Sequence, residues 1–348
     1  MGTRTYVFSA VWVMVLLIIA ACGGGTSASQ DDGGETEKET AQPIELKLGT
    51  KMPESTPEGE AFQYFADLVK EKSGGELLVQ VYPAEQLGKG TTQIDNMILG
   101  TQDMYAEGIT YFQDYDSRTE LSSVPFLFRD FEHYQKFNTG EIGLDIQETL
   151  IENGMRILNT ERNFVRGPYR VLLSTRPVKS VDDLQGLKVR APESAIYVDA
   201  YKHLGANPTV VAWTETYLAL KQKVVEAVTS PISLVWGMKF SEVAPHVTII
   251  DEHPQDVVIV MSEKSFQNLS EEHQQILIDA ANEAGEKATE LVEEAAERDL
   301  ERMKEEHGIQ VYDINREEWE KKMEPFFEEL DESGQFPEGT IEQVRNIR

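Results

Sequence analysis

Few residues in this chain are spaced for catalysis. There is no G-x-S-x-G nucleophile turn, no H-E-x-x-H zinc helix and no Walker loop. Gly88-Lys89-Gly90 opens a G-x-G-x-x-G, but Gln93 occupies the last glycine's place, so the dinucleotide reading fails. The six histidines are scattered, and the nearest pair, His246 and His253, lacks metal-ligand spacing. Cys22 is the only cysteine, which excludes an internal disulfide and a multi-cysteine metal site. Carboxylates are too numerous for any pair to stand out as acid and base. No catalytic residue, metal or cofactor is therefore expected. What remains is a set of arginines. Arg162, Arg166 and Arg170 fall within nine residues, and Arg190 ends the apolar run Leu187-Lys188-Val189. A guanidinium makes two parallel charge-assisted bonds to a carboxylate. At a strand end of an α/β sheet it faces the crevice where ligands bind. The ordinary alternative for any one arginine is a surface ion pair.

The 348 residues carry 61 acidic and 32 basic side chains, a net charge of −29. That surplus excludes a nucleic-acid partner, which requires a basic footprint. Apolar residues at 40% and charged residues at 27% fit a folded protein of about two domains.

The first 43 residues read as address and tether. Arg4 precedes an apolar run from Tyr6 to Ala21, and Ile19-Ala20-Ala21-Cys22 closes it. Such a run spans about 24 Å as helix, short of the roughly 30 Å hydrocarbon core. It resembles a bacterial lipoprotein signal peptide (1–21), with Cys22 the lipidated first residue of the mature chain. The alternative is a membrane anchor with a chance cysteine, and either places the body outside the cytoplasmic membrane. Residues 22–43 lack large apolar side chains and read as a disordered tether.

From Ile44 onward strand and helix patterns alternate, which predicts an α/β fold with mixed, mostly parallel sheets. Strand-like runs cover 44–48, 77–82, 104–106, 157–159, 169–173, 187–190, 209–211, 247–250 and 257–261. Helices are predicted over 91–99, 142–151, 195–203, 215–221 and 231–240, and one follows the first strand with Phe62, Phe65, Leu68 and Val69 inward. Ser270 as N-cap and Gly308 as stop bracket 37 residues with a narrow alanine seam. That helix, about 55 Å long, outruns one lobe of roughly 35–40 Å, so it bends near Gly285 or runs along both lobes. An intermolecular coiled coil ranks below these, because the seam lacks bulky residues. Asn315 caps a last helix with Trp319, Met323, Phe326, Phe327 and Leu330 inward.

The stretch Ser180 to Pro192, SVDDLQGLKVRAP, resembles the DLKGLKxRxP block of TRAP transporter solute-binding proteins of the dicarboxylate-binding DctP type. Three further blocks resemble that family in order: YPAEQLG at Tyr82–Gly88, LGANPT at Leu204–Thr209 and ETYLAL at Glu215–Leu220. The resemblance implies a two-lobed periplasmic-binding-protein-like fold, with a long helix packed along both lobes and an organic anion bound between them. Lobe 1 would comprise 44–167 plus about 256–295, and lobe 2 168–255 plus about 296–348. It implies that Arg190 holds the ligand carboxylate, that Arg170 assists, and that Trp213 packs on the ligand. Ser230 falls where the family commonly has asparagine. Lys51, Glu107 and Glu193 are further cleft candidates. The implied partners are a small organic anion and two integral membrane subunits, with the binding protein a lipid-anchored monomer. The alternatives are a binding lipoprotein of an ATP-driven (ABC-type) importer, a secreted enzyme acting on an organic acid, or an adhesive lipoprotein.

Overall fold

The computed structural model describes residues 42–348. The signal segment, Cys22 and the tether up to residue 41 lie outside the described residues. The chain runs β1 (Ile44–Thr50), α1 (Pro57–Lys72), β2 (Leu77–Tyr82), α2 (Gly90–Leu99), β3 (Met104–Glu107), α3 (Phe131–Thr139), α4 (Glu141–Glu152) and β4 (Met155–Ile157). It continues with β5 (Arg170–Ser174), β6 (Lys188–Ala191), α5 (Ala195–His203), β7 (Asn207–Val210), α6 (Thr216–Lys221), β8 (Ala227–Pro231), α7 (Ile232–Val235) and β9 (His246–Ile249). It closes with β10 (Val258–Ser262), α8 (Glu263–Gln267), α9 (Glu271–His307), β11 (Gln310–Asp313), α10 (Arg316–Glu332) and α11 (Thr340–Arg345).

Two sheets result, ordered β2-β1-β3-β10-β4 and β11-β9-β5-β8-β6-β7. Five pairings are parallel and four antiparallel, and all four antiparallel ones are made by β10 or β5. The reason lies in connectivity. β5 and β10 are the strands entered directly from the other sheet, so each runs against its neighbours.

Each sheet is covered on both faces. Leu48, Ala106, Ile259, Leu173, Val228 and Val247 face one apolar cluster together with Phe62 and Phe65 of α1 and Ala281, Ala284 and Ala288 of α9. Tyr105, Val258, Val260, Leu172, Val189 and Ala191 face the other, with α3, α4, α5 and α10. This is strand alternation realised. The expected cap at Ser270 is present, whereas Asn315 stands at the start of α10 without a side-chain cap bond. Thr56 Oγ1 accepts from Gly59 N before Pro57 opens α1, and Ser270 accepts from His273 N before α9. α9 ends at Gly308, whose φ of 63° is left-handed.

Three stretches join the sheets: 158–169, 250–257 and α9. The first two are stitched by an antiparallel bridge between Val165 and Asp256. α9 lies against the first at Gly285, and it is one continuous helix of 37 residues there. The close approach, rather than a break, is what glycine serves. Asn163 Nδ2 donates to Asn282 O and Thr289 Oγ1 donates to Asn163 O, so the bonds flank Gly285. A Cβ on Gly285 would sit 2.1 Å from Asn163 Oδ1 and 3.1 Å from Phe164 N. Gly285→Ala gains about 1 kcal/mol of helix propensity, yet overpacking costs about 1–3 kcal/mol. The expected net result is destabilisation in urea denaturation, and a stabilised variant would disprove the close approach.

Five elements lacked a sequence signal of their own: α3, β8, α8, β11 and α11. The predicted helix 231–240 is only 232–235. The backbone turns left-handed at Lys239, φ 60°. α10 packs on α5, while α11 reaches the start of α3, where Val344 O meets His133 Nε2 at 2.8 Å.

Candidate ligand-binding site

The carboxyl ends of β1, β3, β6 and β8 converge on a cavity of about 70 Å³ between the two sheets, with residues following β1 and β3 on one side and residues of β5, β6 and β8 on the other.

Arg190 sits near the end of β6. Val189 and Ala191 point into the core, so alternation turns Arg190 to the cavity. It is 8% exposed. Nε donates to Val211 O at 2.9 Å, and the guanidinium carbon lies 5.4 Å from the Trp213 ring centre. Among the described residues no carboxylate lies within 4.0 Å of it, and Nη1 and Nη2 have no protein acceptor. Burial draws its pKa down, with Arg170 adding to the effect.

Arg170 opens β5 and is the opposite case. Nε donates to Glu252 at 3.2 Å, Nη1 to Gln255 Oε1 at 2.7 Å and Nη2 to Thr229 Oγ1 at 3.1 Å. Glu252 is fully buried and also accepts from Tyr201 and, at 3.4 Å, from Tyr197. Arg170 lines the cavity, but its charge is already compensated.

Lys51 and Glu107 meet as an ion pair at 3.0 Å, and Lys51 Nζ donates to Tyr111 Oη at 2.8 Å. Glu107 is fully buried behind Lys51 and also accepts from Arg166, which forks Glu58 at 2.9 and 2.8 Å. Both Glu58 oxygens accept from a group that can only donate, so Glu58 is a carboxylate there. Burial raises the Glu58 pKa. Burial pushes Glu107 the same way, but Arg166 and Lys51 outweigh it and hold Glu107 below its ordinary value.

Trp213 packs edge-on against Phe240 with centroids 5.1 Å apart, and Lys51 Nζ is 6.0 Å from its ring. Its buried Nε1 has no partner among the described residues.

Three sequence candidates lie off the cavity wall: Glu107, behind Lys51, and Ser230 and Glu193. Ser230 is buried on the other face of β8, and its Oγ donates to Pro231 O at 2.9 Å. Thr229 and Pro231 line the cavity instead, because side chains alternate along a strand. Glu193 is exposed, and its carbonyl accepts from Gln113 Nε2 at 3.0 Å.

The structure adds wall residues that sequence reading missed: Tyr111, Ser123, Arg166, Tyr197, Thr229, His253 and Gln255. Only Arg166 carried a signal, and that cluster of arginines proved largely internal, since Arg162 pairs with buried Asp256 at 2.6 Å.

A larger cavity of about 510 Å³ lies against the joining stretches and α9. It offers no unbonded guanidinium. Arg316 bonds Asp251 O, Phe128 O and Glu320, and Arg129 bonds the carbonyls of Arg345 and Ile347. Ligand chemistry therefore points to the smaller cavity. His253 borders both, 3% exposed, with Nδ1 unbonded among the described residues.

Burial pushes His253 well below the ordinary imidazole range, and Arg170 adds to this. His133, buried behind α11, is lowered for the same first reason. The unfolded chain therefore binds more protons than the fold as pH drops below about 6.5, so this stability is present above that pH and lost below it. The melting temperature is expected to fall between pH 7 and pH 5, and His253→Gln to flatten the slope. An equal slope in that variant would remove His253 from the account.

A buried guanidinium without a counter-ion among the described residues, in a cavity between two sheets joined by three stretches, defines a two-lobed solute-binding protein. The family model described as bacterial extracellular solute-binding protein, family 7 (DctP), matches residues 48–333, and the chain belongs to that family. It is 33% identical over 272 residues to the 2,3-diketo-L-gulonate-binding periplasmic protein YiaO of Escherichia coli K12, covering 78% of this chain and 82% of that protein. It is 27% identical to the C4-dicarboxylate-binding protein DctB of Bacillus subtilis, covering 83% and 82%. A TRAP periplasmic solute-binding protein from Polaromonas sp. JS666, solved with D-erythronate, is 26% identical with a TM-score of 0.78, covering 87% of this chain and 99% of that one. The chain is thus a TRAP-type, extracytoplasmic solute-binding protein.

Proposed function

We propose that this protein captures a small organic acid between its lobes and hands it to the integral membrane subunits of a TRAP transporter. The observation that carries the reading is Arg190, a buried cation with two nitrogens unbonded, facing the cavity. The ligand carboxylate docks on that fork. Trp213 packs beside it and offers Nε1, and Lys51 contributes from the other side. Arg170 and Glu107 act by positioning, through Glu252, Thr229 and Lys51. With water excluded, each charge-assisted bond gains strength. The charge of −29 does not oppose this, because at a Debye length of about 8 Å distant surface carboxylates are screened.

The lobes correspond to the two sheets, lobe 1 built on β1–β4 with β10 and lobe 2 on β5–β9 with β11, with boundaries near 167 and 256. Cys22 carries the lipid anchor, and the body works as a monomer on its tether. The relatives named for 2,3-diketo-L-gulonate and C4-dicarboxylates, and the neighbour holding D-erythronate, support an organic acid as ligand. A thermal-shift screen against organic acids tests this. A ligand at 100 times its Kd stabilises by about 2.7 kcal/mol. Absence of any shift across organic acids, with a shift from a neutral solute, would overturn the reading.

A further inference from the structure

The charged groups that wall or directly back the cavity are four cations, Lys51, Arg166, Arg170 and Arg190, and three carboxylates, Glu58, Glu107 and Glu252. Their pairing closes with one remainder. Arg166 and Lys51 together satisfy Glu58 and Glu107. Arg170 satisfies Glu252. Arg190 is left alone. Nearby charges do not pair with Arg190. Arg162 and Asp256 bind each other, and Glu120, which does not wall the cavity, is held by Ser194 and Gln335 instead. The rest of the wall is neutral and able to hydrogen-bond: Tyr111, Tyr197, Thr229, Ser123 and Gln255, with the unpartnered Trp213 Nε1 and His253 Nδ1 beside them.

Resting on the organic-acid reading, we propose that the site takes a monoanion: one carboxylate on Arg190, and a remainder that is uncharged and bears hydroxyl or oxo groups. Buried charge is tolerated when it is paired. A first carboxylate completes the one missing pair. A second would enter a space in which every other cation already shares its charge with a glutamate, and would stay unpaired. The neutral wall, and above all the idle indole N–H, fits a ligand with oxygen acceptors along its length. The relatives named above include both a sugar-acid and a dicarboxylate binder, so their names leave this choice open.

The test is calorimetry on the full chain at pH 7.4 with matched acids that differ by one carboxylate: L-lactate with L-malate, D-gluconate with D-glucarate, and D-glucuronate with D-glucarate. In each pair that yields binding, the monoacid is expected to bind at least tenfold tighter. A diacid that binds as tightly or more tightly overturns the proposal while leaving the organic-acid reading intact. Binding of no acid in any pair overturns both. Glu107→Gln, checked for folding by circular dichroism, raises the surplus to two positive charges and is expected to shift the preference at least tenfold toward the diacid. An unchanged ratio in the folded variant counts against the charge count.

Discussion

Arg190→Ala is expected to abolish ligand capture while leaving the fold intact. Among the described residues the guanidinium's one hydrogen bond is from Nε to Val211 O, and beyond it lies only the Trp213 ring, so its removal leaves no buried carboxylate orphaned. On the ligand side the loss is large, because truncating one partner of a buried charge pair costs about 2–5 kcal/mol. That corresponds to a loss of roughly 30-fold to several thousand-fold. Arg190→Lys keeps the charge but loses the planar fork, and a compact ammonium cannot bond Val211 O and both carboxylate oxygens in one plane. It is expected to bind weakly as well. Calorimetry with whichever acid gives the largest thermal shift measures both. Wild-type affinity in Arg190→Ala would take the central cation out of the mechanism.

Asp256→Ala is expected to give the largest loss of stability. Asp256 is fully buried, accepts from Arg162 Nε at 2.6 Å and Tyr134 Oη at 2.7 Å, and sits in the bridge that stitches the two joining stretches. Removing it strands a guanidinium that is 1% exposed. Breaking a buried pair from one side costs about 3–5 kcal/mol. Replacing both ends with apolar groups of similar size, Arg162→Met with Asp256→Leu, is expected to cost less than the single change. Urea denaturation of the three proteins decides it. A single variant within 1 kcal/mol of wild type would show that the pair is not holding the junction.

The long helix was fully legible because its limits are local: a serine cap, two acids in the first turn and a left-handed glycine at residues 270–272 and 308. Arg190 was singled out through the resemblance of its GLKVR block, since spacing alone left a surface ion pair as the ordinary reading, and the structure turns it to the cavity. Ser230 shows where such reading fails. One residue of register reverses every side chain on a strand, so a resemblance sound in sequence pointed to the wrong face of β8. Arg170 does line the cavity, but its compensating partner, Glu252, lies 82 residues away in a stretch with no periodicity and was not legible. The same stretch holds Asp256, His253 and Gln255, none of which any pattern could have placed.

The order of the strands has a consequence for how the polypeptide acquires its shape. β10 lies between β3 and β4 yet is made after the whole run from β5 to β9. A chain emerging from its N-terminus must therefore leave the first half gapped, β3 and β4 each with a bare flank, until residue 262 is free. Neither half is an uninterrupted segment: β5 to β9 are inserted in the first, and β10 is inserted in the second. Splitting the gene between them should yield two insoluble pieces, whereas co-expression of fragments parted at an exposed turn within one half should restore a soluble pair.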